Sequence, residues 1–510
     1  MSKSVFSNDL FSSIAIIHRY GTQENIPISM ITQDSRQVVR DALFVAIPGF
    51  HIDGHDFLSD ALDSGARILV VQEGNDGKWK QLLSKEIAVI EVENTRKVLS
   101  DLSAAFYKYP ARRLTVIGVT GTDGKSTTCY MLSAILESAG RSTGIIGGVE
   151  FKVGDYWRPN TISETSPEAP MVQSLLSEMV TNSVTDVIIE STSHGLFLHR
   201  LDNCEYDIAV FTGLSDDHLD FHGSREEYFA AKLRLFKALN TSENKDIPKR
   251  GVVYADDPYF DEIVSATSAE IVTVGLSKTG SDISVSDIEL KESGSSFRVA
   301  TPAGALEVTL ELPGMFNVRN ALLAAGAAYA LGIGPVAISD GLSSLRGVPG
   351  RMEYINGAQP FTVVVDAAAT SDAFHTVLDS IKPLVTGRLI VVFGCAGERD
   401  PSRRTGMGEA AAEFCDFSIL TSENPRSEDP EAIVEQIAVA MENAGSLLDR
   451  DFEKIPNRYE AIARAIEIAN PGDYLLIAGK GAEQTLITAD DIEPWDDRDV
   501  VRNLISEIFS

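Results

Sequence analysis

Gly121, Thr122, Asp123, Gly124, Lys125 and Ser126 stand in one run, after an apolar β-branched stretch, Thr115 to Val119, and before a helical pattern, Thr127 to Ser138. Strand, glycine-rich turn and helix make a cradle for phosphate, because glycines let backbone N–H groups close on an anion that the helix start faces. Lys125 would reach the β/γ-phosphates of a nucleotide, and the Ser126 hydroxyl a Mg²⁺ ion. The strict G-x-x-x-x-G-K-[ST] spacing is broken: Val119 holds the first glycine position and Gly118 lies one residue early. Further on, Glu190 precedes Ser191-Thr192-Ser193-His194, and His218 closes the run Thr212 to His218. A carboxylate and an imidazole beside a phosphate loop suit Mg²⁺ bridging nucleotide and substrate oxygens. The other reading of His218 is a cap on the following helix. Lys232 ends the segment Tyr228-Phe229-Ala230-Ala231-Lys232. It is either an inward lysine that needs partners or a surface lysine with a snorkelling stem, and spacing does not choose.

A second group of polar residues follows apolar runs near the C-terminus: Asp366, then Gly394 to Asp400, then Thr421 to Arg426, then Gly479 to Glu483. Arginines grip carboxylates bidentately, and Glu483 could meet an ammonium, so this set suits a zwitterion.

The elements that must hold these residues alternate as β and α. Strands are expected at Ala42 to Ile47, Arg67 to Val71 and Ala88 to Val92, then at Thr115 to Val119, Val187 to Glu190, Asp207 to Thr212 and Gly251 to Tyr254. Antiparallel strands are expected from Thr279 to Thr309, and a helix from Asn317 to Leu331. A last β/α series has strands at Phe361 to Asp366, Arg388 to Gly394, Phe417 to Thr421 and Tyr474 to Ala478. This alternation predicts an α/β chain with mostly parallel sheets covered on both faces, whose ligands sit at strand carboxyl ends. At 510 residues several domains are expected, since single cores rarely exceed roughly 250–300 residues.

A formal charge of −30 disfavours nucleic acid and anionic membranes as partners, while a few local cations suffice for a nucleotide. Cys129, Cys204, Cys395 and Cys415 are too dispersed for a zinc site or a disulfide frame. No signal region opens the chain, and the Ala-rich run Ala321 to Gly334 is too short to span a bilayer. A cytoplasmic monomer without membrane insertion is expected.

With these motifs in order, the chain resembles the Mur ligase family over essentially its whole length. Thr120 to Ser126 resembles the family's T-G-T-x-G-K-[ST], Glu190 to His194 its E-x-x-S-H, and Asp217 to Gly223 its D-H-L-D-x-H-G. Ala230 to Lys232, Phe316 to Ala321, Pro349 to Glu353 and Asn424 to Pro430 resemble its A-A-K, F-N-x-x-N-A, P-G-R-M-E and N-P-R-x-E-D-P. The resemblance implies three domains: a UDP-binding domain over 1–106, an ATPase domain with a P-loop-type sheet over 107–346, and a Rossmann-like amino-acid-binding domain over 347–510. It implies an ATP-dependent ligase of peptidoglycan precursor synthesis that phosphorylates a carboxylate and passes the acyl group to an amine. Its substrates would be a UDP-linked muramoyl dipeptide and a diamino acid.

The resemblance also distributes roles. Lys125, Glu190, His218 and Lys232 would be catalytic, with Ser126, Glu190, His218 and a carbamylated Lys232 holding two Mg²⁺ ions. ATP would lie against Gly121 to Thr127, Asn320, Arg351 and Asp366. Ser35 and the loop His51 to His55 would face uridine, and Thr165, Ser166, Thr192 and Arg200 the muramoyl peptide. Arg404, Asn424, Arg426, Gly479 and Glu483 would read the acceptor, with Arg426 taking the distal carboxylate of meso-diaminopimelate. The chain departs from the pattern at Ala367, Ala369 and Ser371, where the family has Tyr, His and Pro, and at Ala482, where it has His. Leu198 replaces a glutamine, Asp123 an asparagine, Glu423 an aspartate and Thr405 a proline. Two other readings stay open: a catalytically weak paralogue acting as a binding or assembly module, and a ligase for another amino-acid acceptor.

Overall fold

The computed structural model describes residues 5–12, 14–50, 52–162, 164–276 and 280–509; His51 and Thr279, both named above, lie outside the described residues. Three large β-sheets, besides two small two-stranded ones, follow one another along the described residues. In the first, Ala42–Val45, Ala66–Gln72 and Ala88–Val92 run parallel, flanked by Met30–Thr32 at one edge and antiparallel His18–Gly21 at the other. Their continuous apolar runs reflect burial on both faces.

The second sheet carries the phosphate loop at its centre. Strand β1 (Thr115–Thr120) leads through the loop into helix α1 (Lys125–Ser138), and β1 lies between β2 (Asp186–Glu190) and β3 (Ile208–Phe211), both parallel to it. The three carboxyl ends therefore open on one side, which brings Gly121, Glu190 and Thr212 together. Helix α1 starts two residues before the apolar periodicity does, because Gly124 takes the cap position at φ 80°, a left-handed conformation that glycine adopts without steric cost. Helix α2 (Arg225–Ala238) carries Lys232, and helix α3 (Met315–Ala330) lays its Ala-rich run on the sheet. The small side chains permit close approach: a Cβ on Gly326 would come within 2.7 Å of Val274. That run is core, and among the described residues no helix is long and apolar enough to cross a membrane. Past β3 the sheet continues through Arg250–Tyr254, Glu270–Gly275 and Ile283–Lys291 to the antiparallel strands Gly294–Thr301 and Gly304–Leu310.

The third sheet holds β4 (Thr362–Asp366), β5 (Leu389–Phe393), β6 (Phe417–Leu420) and β7 (Tyr474–Ala478), in the order β4-β7-β5-β6 and all parallel. Helix α4 (Ser402–Phe414) connects β5 to β6. One apolar cluster runs from Ile117 and Val119 through Leu312, Val348 and Met352 to Phe374 and Phe393, so the second and third sheets share a core.

Candidate active site

The loop after β1 is closed on its own lysines. Lys125 Nζ donates to the carbonyls of Gly121 (3.1 Å) and Thr122 (2.6 Å), and Lys232 Nζ donates to that same Gly121 oxygen at 2.6 Å. Lys232 is 2% exposed and sits 4.2 Å over the Tyr228 ring, so it faces inward. Burial and the charge of Lys125 push its ammonium well below the usual range. Gly124 lies so close to Asn320 that a Cβ would meet its Oδ1 at 2.4 Å. Gly118 serves packing instead of phosphate. A Cβ there would fall 2.5 Å from Leu235 Cδ1 and 2.7 Å from Tyr206 Cε1, so it lets α2 lie close on β1, which is why it does not sit at the loop position.

Ser126 Oγ donates to Glu190 Oε2 at 3.0 Å, Gly148 N donates to Oε1 at 3.1 Å, and Arg351 Nη2 lies 3.4 Å from Ser126 Oγ. His218 has φ 54° ahead of a short helix, Leu219–His222, and its side chain does not cap it. Its ring packs 4.7 Å from that of His194. Burial pushes His194 and His222 down to about 4 and lowers His218 as well, which favours their neutral form; His218 Nε2 lies 3.3 Å from Asp217 Oδ2. Among the described residues no cluster of three or more His, Cys, Asp or Glu is arranged to hold a metal. The Ser126 hydroxyl and Glu190 carboxylate nevertheless form a hard oxygen pair of the kind Mg²⁺ takes together with phosphate and water. His218 and the bare Lys232 amine offer no second oxygen pair.

A cavity of about 340 Å³ opens beside the loop, walled by Thr122, Gly124, Thr127, Asn320, Arg351 and Asp366. Asp123 is also on its wall, with Ser215 Oγ 3.3 Å from its carboxylate. Asp366 Oδ2 accepts from Met352 N (2.8 Å) and Oδ1 from Ala368 N (2.9 Å), so the carboxylate braces its own backbone at the cavity wall. Ala367 lines the same wall where the resemblance has an aromatic ring.

Behind β2, Ser166 Oγ donates to Glu190 O (2.9 Å) and lies 2.8 Å from Thr192 Oγ1, while Arg200 Nη1 donates to Ser166 O (3.2 Å) and pairs with Glu168 (2.8 Å). Thr165 packs against Gly148, so Thr165, Ser166, Thr192 and Arg200 are brought together. Ser35 lines a larger cavity of about 930 Å³ between the first sheet and the segment Ile162 to Ser174. His55 does not line it: the ring is 2% exposed, Nδ1 lies 2.7 Å from Asp53 and Nε2 accepts from Gln72 N.

At the ends of β6 and β7, Asn424 Nδ2 donates to Glu483 Oε2 (2.9 Å), and Lys480 Nζ donates to both Asn424 (2.8 Å) and Glu483 (3.0 Å). Gly479 has φ 111°. Arg426, in the left-handed region at φ 55°, donates to Gly397 O at 2.9 Å. Arg404 is buried, with its guanidinium on Glu428 (2.8 Å) and Gln436 (2.9 Å); it braces α4 against the next helix. Two residues emerge here that sequence reasoning did not single out for a role. Glu423 is 5% exposed with Oε2 unpartnered, and burial followed by the charge of Glu483 pushes it up to about 7. Arg403 forms an ion pair with Asp217 of the loop that follows β3. The adjacent arginines 403 and 404 after a glycine-containing strand end were the available signal.

The family model described as Mur ligase middle domain matches residues 119–328, the Mur ligase glutamate ligase domain matches 350–481, and the Mur ligase family catalytic domain matches 27–107. A curated relative from Roseiflexus sp. (strain RS-1), a UDP-N-acetylmuramyl-tripeptide synthetase, is 41% identical over 95% of this chain and 96% of its own. A UDP-N-acetylmuramoyl-L-alanyl-D-glutamate--2,6-diaminopimelate ligase from Bacillus velezensis is 40% identical over 94% and 95%. A solved structure of a ligase with that same name aligns with TM-score 0.65 and 29% identity, over 99% of both chains.

Proposed function

The chain belongs to the Mur ligase family, and from that premise we propose that it joins meso-diaminopimelate to UDP-MurNAc-L-Ala-D-Glu at the expense of ATP. The observation that carries this reading is the meeting of two sites. A phosphate loop with Lys125, Ser126 and Glu190 is tied by the Arg403–Asp217 pair to strand ends bearing Arg426, Asn424 and Glu483.

In this mechanism a substrate carboxylate oxygen attacks the γ-phosphorus of ATP and ADP leaves with the bonding pair. The amine nitrogen then attacks the acyl carbon, phosphate leaves, and the amine's surplus proton is released. The difficulty is the approach of two anions, which charge neutralisation relieves. Mg²⁺ held by Ser126 and Glu190 would neutralise phosphate charge when bound. Lys125 leaves the carbonyls of Gly121 and Thr122 for the β/γ-phosphates, and the backbone N–H groups of 121–126 close on them. Asn320, Arg351 and the wall braced by Asp366 contain the rest of the nucleotide. Ser35 faces the uridine end, while Thr165, Ser166, Thr192 and Arg200 hold the muramoyl peptide. On the acceptor side Arg426 takes the distal carboxylate, and Glu483 with Asn424 takes an ammonium.

The test is ADP and phosphate release in the presence of UDP-MurNAc-L-Ala-D-Glu and a panel of amino acids. Release should require both the dipeptide and an acceptor, with diaminopimelate preferred over lysine. Preference for lysine or another amine would reassign the acceptor. Tight nucleotide binding without turnover on any diamino acid would reject the ligase in favour of a binding module.

A further inference from the structure

Arg403 lies on α4, one residue before Arg404, and the two guanidinium groups face opposite ways. Arg404 stays inside its own domain on Glu428 and Gln436. Arg403 crosses to the loop that follows β3, where it pairs with Asp217, the residue before His218; the two side chains are 17% and 11% exposed. Its charge is felt on that side by Asp217, His218 and Tyr228, and on the other by Cys395 and Glu423. It therefore stands between the phosphate loop and the strand ends of the third sheet. Of the lysines at the loop, Lys232 is buried, spent on the Gly121 carbonyl beneath the Tyr228 ring, and Lys125 is the one cation of the loop itself. The transfer of a phosphoryl group to a carboxylate spreads negative charge over three equatorial oxygens, more than one ammonium can match.

We propose that Arg403 is a catalytic residue supplied by the C-terminal domain: its guanidinium exchanges Asp217 for the equatorial oxygens of the phosphoryl group as that group passes from ATP to the substrate carboxylate. This rests on the ligase reading given above. The Pγ–O bond to ADP breaks as the carboxylate O–Pγ bond forms, no proton moves in that step, and Arg403 contributes charge and two parallel N–H donors. Guanidinium suits this because it stays protonated and matches phosphate oxygens as a planar fork. The resting pair with Asp217 keeps the group charged, desolvated and close by before substrate arrives.

The experiment compares wild type with Arg403→Ala and Arg403→Lys by ADP release, and by the affinities of ADP alone and of ADP with aluminium fluoride, a mimic of the transferring phosphoryl group. Arg403→Ala should lower kcat by about 10³-fold or more, keep ADP affinity within about twofold, and lose the tightening that aluminium fluoride gives the wild type. Arg403→Lys should keep part of the rate, and added guanidinium should restore part of it to the Ala variant. An Ala variant with wild-type kcat or wild-type tightening overturns the proposal. If the Ala variant fails to bind ADP at all, the Lys variant decides: wild-type kcat there overturns it, and a loss of about tenfold or more with ADP affinity intact supports it. A wild type that never releases ADP refutes the ligase reading and this role together.

Discussion

Two lysine side chains donate to one backbone oxygen, that of Gly121, and one of them is far more deeply buried than the other. Lys125 lies nearer solvent; Lys232 is sealed behind Tyr228 and its ammonium is pushed down by burial and by Lys125. A neutral amine is the nucleophile that carbon dioxide needs: nitrogen bonds to carbon, one proton is lost, and an anionic carboxylate replaces the amine. That carbamate would give His218 the oxygen partner that the bare amine lacks. Lys232→Ala is therefore expected to abolish turnover, and millimolar formate or acetate to recover part of it in an ADP-release assay; an Ala variant with full activity would show that no carbamate is needed. Lys125 was legible as chemistry from its glycine-rich loop and Glu190 from its place at the end of an apolar strand, whereas His218 and Lys232 took on roles only through the resemblance, since spacing alone left a helix cap and a surface lysine open. Arg403 and Glu423 were not legible, since their significance depends on a neighbour in another sheet or on the lack of any partner, and spacing carries neither fact.

At the scale of elements, the strands that were expected end within one or two residues of where they lie, since fully buried parallel strands leave continuous β-branched runs, whereas Thr143–Ile146 and Glu270–Gly275 were not expected. Helix starts were less legible. The start of α1 is fixed by the left-handed conformation of Gly124, which apolar periodicity does not sense, so Lys125 and Ser126 lie in the first helical turn. Asp366 was expected against nucleotide; it lines the cavity, and its oxygens also accept from the amides of Met352 and Ala368, a bracing role that spacing does not reveal. Gly118 shows the same limit, because the sequence offered it only as a displaced loop glycine. Its contact with Tyr206 and Leu235 sets the depth at which α2, and with it Lys232, lies on β1. Gly118→Ala should destabilise the protein by about 1–3 kcal/mol through overpacking, read as a lower urea midpoint, and should slow ADP release as Lys232 shifts. An unchanged midpoint would mean that Tyr206 and Leu235 yield freely and that Gly118 does not set the spacing.

For the whole molecule, the second and third sheets share a continuous apolar core through Val348 and Met352, whereas the first sheet packs on clusters of its own. The nucleotide cavity is built across the shared boundary: Gly124 and Asn320 come from one side, Arg351, Asp366 and Ala367 from the other. A ligand in that cavity bridges both sides and biases the arrangement in which they meet, by no more than its binding free energy allows. The amides of Met352 and Ala368, both bonded to Asp366 at the boundary, are the natural reporters. On adding ADP at about 100 times its Kd their hydrogen exchange should slow by up to about 100-fold, the mass-action limit for opening that releases ligand. The amides of Ala66–Gln72 in the first sheet should not change. Slowing that reaches the first sheet equally would mean that all three sheets open as one unit. No slowing at Met352 and Ala368 would mean that nucleotide binds without the third sheet, leaving Arg351 and Asp366 outside the nucleotide site.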